Sequence, residues 1–462
     1  MGFLFGKKNN KVQRKPARTN SVKSAFVRKK DKVASRVNVR DRKEFKNPLE
    51  YIFDLGINHD KRLFYAFIAI VIIGVIAIFS STIVFAHRYQ GDRFYYLMSH
   101  LKLLGAGSIL ALAFYFMRTE FLTRVWFWLS SLIICVALLG YLLYLSFTSQ
   151  VEAIDGATRW LNVGGFQFQP SEFAKLTFLV FVAGFLGRIS DNFRNASDFI
   201  KRNFMPFLLS LGTVTILILL SRNLGTALVV GFIAMASYWS IATNKFQRAG
   251  FMALCILIVI GGTIFGIYES YRADRIAVWI NYLQTNDTLI EEKDGSMSRS
   301  NRSYQLDQVL TAIGSGGVFG LGLGESIGKY YFPKTSAGDD SIFGIMGEEL
   351  GFIMVSAILL LYLYLVFRLL TLANMIVENR TYFLFLVGIA SWIGFQMFVH
   401  VGANVGVIPL TGQTLPFISL GGSSVISLMT AMGLALNVSK QVYKTSTKET
   451  PREKRKSFTF AQ

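Results

Sequence analysis

The sequence predicts an all-α fold, a polytopic membrane protein of about ten transmembrane helices with both termini on the cytoplasmic side. Two observations predict it. The 462-residue chain is 52% hydrophobic and 14% aromatic, against 16% charged residues. Its apolar residues gather in runs of about 20 with almost no charge, the length that crosses a bilayer as a helix. A soluble chain would instead show stripes with a period of 3.6 or 2. Inside lipid every backbone amide must bond internally, which makes helix the default.

The runs are 63–86, 97–116, 122–147, 170–187, 205–220, 224–242, 250–268, 341–368, 381–400 and 419–437. Cys135 and Cys255 both fall within them, where packing is their expected role. His59, His87, His100 and His400 show no metal-ligand spacing, and His100 and His400 read as interface residues near helix ends. Residues 1–60 contain no apolar stretch of the kind a cleavable signal peptide carries.

The chain divides into a basic tail over 1–60, a membrane domain over 61–440 and a second basic tail over 441–462. Residues 1–50 hold 16 Lys or Arg and 4 acids, with little apolar content, and are expected to be disordered. Such a tail stays in the cytoplasm and is drawn to anionic membrane lipid. It lacks the interleaved aromatics that stack on bases, so no nucleic-acid partner is expected. Ten crossings return the carboxyl terminus to the same side. The long connector between helices 7 and 8, 269–340, carries seven basic and ten acidic residues and is therefore placed outside. Its polar stretch 285–302 is expected to be mobile.

Four motifs then lie at the outer face. The first is "GATRWLNVGGFQFQPSEFAKL" at 156–176. Its glycine pair and aromatics predict a tight turn or short hairpin, and Pro170 suits the first turn of a helix. Glu172 and Lys175 are spaced i, i+3 and share a helix face. A charge costs about 2.5–3.5 kcal/mol near the bilayer centre and less near an end, so the pair points to a polar cavity wall. The second motif, 301–324, is dense in glycine and offers exposed N–H groups to a phosphate, without being a Walker loop or a dinucleotide fingerprint. The third, "AGDDSIFGIMGEELGF" at 337–352, sets four acids at the head of an apolar run. In the fourth, "TGQTLPFISLGGSS" at 411–424, Pro416 limits the helix and the glycines and serines before 425 allow close packing.

In order and spacing these motifs resemble the SEDS family (shape, elongation, division and sporulation) over about 60–440, and 411–424 is more similar to its division member than to its elongation member. The resemblance implies a glycosyltransferase of the bacterial cytoplasmic (inner) membrane with its active site facing outside. It would polymerise lipid II into peptidoglycan glycan strands beside a class B penicillin-binding protein, a transpeptidase, with other division or elongation proteins as further partners. Two alternatives stay open. One is a lipid-linked precursor flippase or other transporter, because a ten-helix bundle with charged residues also fits translocation. The other is an elongation role within the family. The sequence shows no clear inverted repeat, and its acids cluster at the outer face, which favours surface chemistry.

The family motif, written "TDFIFA…GEELG", carries an essential aspartate. Aligned on "IF" and "GEELG", it falls on Asp340 and not Asp339. Polymerisation needs a base for the attacking sugar 4-hydroxyl, and a carboxylate beside the apolar membrane edge is a better base near neutral pH. The plainer role is to cap the helix starting near Ser341. Glu348 and Glu349, about 11–14 Å further along, read as partners for buried polar groups, Lys175 or a neighbouring helix end. Arg159, Lys175, Lys329 and Lys334 are the cations that could meet a pyrophosphate, Arg in bidentate fashion. Ser423 joins them as a cavity residue. A divalent cation, Mg or Mn, could share this work, with no acid cluster to fix its ligands. The chain departs from the family at Arg222 and Asn223, where Pro-Asp is usual, and at Leu420, where Tyr is usual.

Overall fold

The computed structural model describes residues 59–457, apart from 149–158, 164–165, 190–192, 194, 269–277, 285–289, 292–296, 299–300, 333–336 and 377–378. Lys334, the tail before His59 and most of 285–302 lie outside the described residues.

Each of the ten apolar runs lies on a helix. They are α1 Lys61–Gln90, α2 Tyr95–Phe116, α3 Val125–Phe147, α4 Pro170–Arg188, α5 Ala196–Leu220, α6 Leu224–Ser240, α7 Lys245–Tyr268, α9 Ile342–Met375, α10 Arg380–Asn404 and α11 Gly422–Ser457. Among the described residues eight helices are long and apolar enough to cross a membrane. The shorter α6 is separated from α5 by a tight turn at 221–223, in which Arg222 takes φ 58°. α5 begins earlier than its apolar run and contains a π-turn at Ile200–Phe204.

Burial sorts these helices into layers. The apolar window of α11 is 94% buried and that of α4 78%, whereas that of α2 is 17% buried. Helices that are apolar on every face yet exposed belong against lipid, and the buried ones form the centre. Trp392 and Phe385 of α10, Phe178 of α4 and Leu434 of α11 are fully enclosed there.

One end of the bundle is tied by a single aspartate. Asp60 caps α1, its Oδ1 accepting from the Leu63 N–H at 2.7 Å. The same carboxylate pairs with Arg368 of α9, and its own N–H donates to Ser439 Oγ of α11 at 3.2 Å. Three helices therefore meet at one residue.

The opposite end carries the non-helical segments. β1 (Leu161–Val163) and β2 (Phe166–Phe168) pair antiparallel, Leu161 opposite Phe168, as the expected hairpin. A second small ribbon joins β3 (Ile290–Glu291) to β4 (Met297–Ser298). The stretch 269–340, read as loop, contains a further helix, α8 (Asn301–Gly316), whose Val309 and Ala312 are buried. The glycines therefore begin their turns only at its end. α9 is broken at Gly351, which is extended with positive φ (71°, ψ 177°). Strand-like bonds bridge the break: Leu321 N–H to Glu348 O at 2.9 Å, Gly322 N–H to Glu349 O at 3.0 Å and Phe352 N–H to Gly317 O at 3.0 Å. The amides freed by the break thus find partners in the glycine segment. A side chain at Gly351 would strike the backbone of Phe319 and Gly320, so both sterics and φ demand glycine there.

Candidate functional site

The site forms where the first turns of α4 and α6 meet the end of α10, the 411–421 segment and the turn before α9. Pro170 opens α4 and places Glu172 and Lys175 one turn inside. Lys175 is fully buried. Its Nζ lies 2.7 Å from Glu172 Oε2, donates to Gln396 Oε1 at 2.9 Å and sits 5.4 Å from the centre of the Trp392 ring. Gln396 passes the network on, donating through Nε2 to the Thr414 carbonyl at 2.9 Å. Thr414 Oγ1 donates to Ser424 Oγ at 3.0 Å. A buried ion pair leans on further hydrogen bonds: the lysine's are supplied by this chain, while Glu172 Oε1 accepts from Thr226 Oγ1 at 3.5 Å and Oε2 meets the lysine by charge alone.

α6 closes one side. Asn223 caps it, Oδ1 accepting from the Thr226 N–H at 3.2 Å, while Nδ2 donates to Ser171 Oγ at 2.9 Å. The departure from Pro-Asp at 222–223 therefore keeps a helix cap and a tie to α4. Arg159 Nη2 donates to the Arg222 carbonyl at 2.6 Å, which anchors the hairpin approach to the same turn.

The two aspartates lie on a pinned turn. The Gly338 carbonyl accepts from the Leu420 N–H at 2.8 Å, that of Asp339 from Ser419 Oγ at 2.7 Å and that of Asp340 from Asn404 Nδ2 at 2.9 Å. Asp339 and Asp340 are both partly exposed, and Asp340 Oδ2 would lie 3.9 Å from a Cβ at Gly412. Asp339 is turned inward, with Oδ1 enclosed and without a hydrogen-bond partner. Burial pushes its carboxyl up to about 7, with the neighbouring charges of Asp340 and Glu172 adding to the rise. The cap position of α9 is Ser341, not Asp340; the Ser341 hydroxyl accepts from Gln305 Nε2 at 3.0 Å.

Glu348 and Glu349 meet buried polar groups and a neighbouring helix end, and not Lys175. Glu348 does not reach Lys175; it accepts from Ser326 Oγ at 2.5 Å and from the Ile327 and Gly328 N–H groups, and so caps the short turn at Gly328–Tyr330. Glu349 accepts from Ser80 Oγ of α1 at 2.5 Å and pairs with Lys329 at 3.5 Å. Lys329 is itself buried and also donates to the Gly324 carbonyl. The ammonium of Lys329, expected to be available to a phosphate, here holds the glycine segment. Ser423 Oγ accepts from the Gln169 N–H at 2.8 Å and fixes the end of β2 to α11.

Sequence reasoning missed Gln396 and Asn404 and gave His400 only an interface role. They and His400 repeat every four residues, which puts all three on one face of α10. His400 Nδ1 lies 2.6 Å from the Gln413 carbonyl. Among the described residues no group of three His, Cys, Asp or Glu side chains comes together to hold a metal ion. The arrangement offers two neighbouring, partly exposed carboxyls, one with an enclosed oxygen, and a buried cation on α4. That suits proton removal from an incoming hydroxyl.

The sequence matches the family of cell cycle proteins FtsW, RodA and SpoVE over residues 60–444. It is 33% identical over 382 residues to the probable peptidoglycan glycosyltransferase FtsW of Geobacter sulfurreducens, covering 81% of this chain and 93% of that protein. It is 34% identical over 373 residues to stage V sporulation protein E of Bacillus subtilis, covering 80% and 93%. Among solved structures it is similar to a chain from a peptidoglycan synthase complex described as coordinating polymerization and crosslinking (TM-score 0.63, 26% identity, 83% of this chain and 98% of that one). It is also similar to the rod shape determining protein RodA of Thermus thermophilus (TM-score 0.56, 26% identity, the same coverage).

Proposed function

The chain belongs to the FtsW, RodA and SpoVE family, and on that premise we propose that it is a peptidoglycan glycosyltransferase that polymerises lipid II during bacterial cell division. The division role is supported by relatives that carry the FtsW name. The observation that carries the reaction is the turn at 337–341, which presents Asp340 at the mouth of the polar site with its backbone held by Asn404.

In this reading the acceptor sugar hydroxyl approaches Asp340, which takes its proton as the oxygen attacks the donor's anomeric carbon. The bond from that carbon to the lipid pyrophosphate breaks, and the pyrophosphate leaves with the electron pair. The Glu172–Lys175 pair lies behind, shaping the wall. Arg159, on the approach to the hairpin, and Lys334 are the cations offered to the phosphates. The site faces away from the cytoplasm, and a class B penicillin-binding protein receives the strand for crosslinking. A partner of that kind is supported by the likeness to the synthase complex.

The test is glycan formation by purified protein with lipid II in detergent, where no second compartment exists and transport alone gives no product. Polymer from the wild type and none from Asp340→Asn, at equal folded protein, is the expected result. Full polymer yield from Asp340→Asn would remove Asp340 from the reaction, and no polymer from the wild type beside its transpeptidase would favour a transport role.

A further inference from the structure

We propose that the glycine segment 317–324 is seated in the membrane, its apolar side chains entering the bilayer leaflet on the side of the 337–341 turn. α9 marks where that leaflet ends. Its uncharged stretch runs from Leu350 to Phe367, between Glu349 and Arg368. At about 1.5 Å per residue, Gly351 and Arg368 are about 26 Å apart along the helix, close to the hydrocarbon thickness of about 30 Å. Gly351 therefore sits at the lipid boundary.

The backbone lays the glycine segment along that boundary. The Gly317 and Val318 carbonyls accept from the Phe352 and Ile353 N–H groups at 3.0 and 3.2 Å, and the Leu321 and Gly322 N–H groups donate to the Glu348 and Glu349 carbonyls at 2.9 and 3.0 Å. The Gly320 N–H is bonded to the Gly316 carbonyl at 2.8 Å, and the Gly324 N–H to Ser80 Oγ at 3.1 Å. Main-chain groups paired in this way enter lipid without losing hydrogen bonds. The side chains between them are apolar and open. Phe319 is 83% exposed, with Val318, Leu321 and Leu323 exposed beside it, and across the break Phe352 (70%) and Met354 of α9 are exposed too. The two sides of the Gly351 break thus present one apolar surface, of the extent that marks an interaction site.

Charge and aromatic placement select lipid as the partner. Residues 317–324 carry no charge, and the next cation along the chain, Lys329, is buried against Glu349 and the Gly324 carbonyl. A protein-docking surface has a polar rim, whereas this one runs on into the exposed face of a membrane-crossing helix. The exposed Tyr330 and Tyr331 follow it, and tyrosine is a residue type of the membrane–water interface. From this seat the first part of α9, Ile342–Leu350, carries the 337–341 turn about 14 Å along the helix. The segment thereby sets the distance of that turn from the bilayer, whichever group on it acts as base.

The experiment places one nitroxide label at Phe319→Cys, Leu323→Cys, Leu360→Cys or Arg93→Cys of the full chain, reconstituted in vesicles of phosphatidylethanolamine and phosphatidylglycerol. Cys255 is replaced by serine, and Cys135 is buried. Relaxation by oxygen against relaxation by a water-soluble nickel chelate reads the depth of each label. Leu360, exposed in the middle of α9, calibrates hydrocarbon, and Arg93, exposed between α1 and α2, calibrates water. The expected depth at Phe319 and Leu323 is about 5–10 Å into the headgroup and acyl boundary. Water values at either position overturn the proposal. Water values that give way to protection only when a transpeptidase is added overturn it too, and assign the surface to that protein. A photoreactive benzophenone side chain at position 319 of the otherwise native chain repeats the test without the cysteine changes. Phospholipid adducts are expected by mass spectrometry, and their absence, where the same group at position 360 gives them, overturns the proposal.

Discussion

Lys175 Nζ and Glu172 Oε2 lie 2.7 Å apart with both side chains enclosed, and the lysine's second anchor is Gln396 on another helix. The pair joins α4 to α10 through charge. Lys175→Ala leaves a carboxylate buried without its cation and should cost about 3–5 kcal/mol. Lys175→Met together with Glu172→Leu should recover most of that, because matched apolar groups of similar size replace buried pairs well. Thermal melting in detergent checks both. A single variant that melts with wild type while losing its activity would show that the pair acts on substrate and not on the fold.

The Lys329–Glu349 pair holds the glycine segment to α9, with Ser80 of α1 as a third partner. Glu349→Ala should release it. The expected outcome is faster proteolysis between 317 and 332 with α1 to α7 still protected, read by limited digestion and mass spectrometry. Equal digestion rates would mean that the backbone bonds across the break hold the segment alone.

Gly351→Ala is expected to lower the yield of folded protein sharply, since the site requires positive φ and has no room for a methyl group. Strain of this kind costs about 1–3 kcal/mol before any clash is counted. Fluorescence-detected size exclusion of the membrane extract is the measurement, and a normal monodisperse peak would contradict it.

Burial raises the Asp339 carboxyl in the folded protein to about 7, above its unfolded value. The folded state therefore holds this proton more tightly than the unfolded one. The stabilisation is full below the unfolded value and is lost as pH rises through about 7. Asp339→Asn removes that loss. Its melting temperature relative to wild type should rise between pH 5 and pH 8, and a constant difference across that range would contradict the burial.

The amino-terminal tail carries 16 basic residues and 4 acids in its first 50 positions. A tail that its charge keeps in the cytoplasm cannot act directly on chemistry proposed for the outer face, because charges are screened beyond about 10 Å. Deleting residues 2–45 should leave polymerisation in detergent within about twofold, while recruitment to the membrane surface in cells weakens at about 1 kcal/mol per well-placed basic residue. A tenfold loss in detergent, with the membrane domain folded, would assign the tail a part in the reaction.

Helix placement was legible because a stretch of some 20 uncharged residues has few alternatives in lipid. The α5–α6 split was readable from the polar triplet Ser221, Arg222 and Asn223. The hairpin was readable from its glycines and the α4 pair from its i, i+3 spacing. α8 was not, because its residues 301–316 are of mixed polarity and run into glycines that read as turn. The partners of Glu348, Glu349 and Lys329 were not legible either. They depend on the Gly351 break folding the glycine segment back along α9, and no local pattern states which segments meet. Gln396 and Asn404 left a signal in their fourfold spacing with His400. It is hidden by a surrounding helix that is apolar on every face.

Beyond Gly351 the angular phase of α9 restarts. Phe352, Ile353 and Met354 are exposed one after another and Val355 is buried, an order that continues no single 3.6-residue stripe from the acids before them. The two parts of the helix therefore set their buried faces separately, each bonded to the glycine segment on its own side of the break. Inserting one residue between Ile345 and Glu348 turns Asp339 and Asp340 by about 100° relative to Glu348, while the membrane-crossing part keeps its orientation. Homologous chains that differ in length on the near side of this hinge would differ in where their acids point and agree in which side meets lipid.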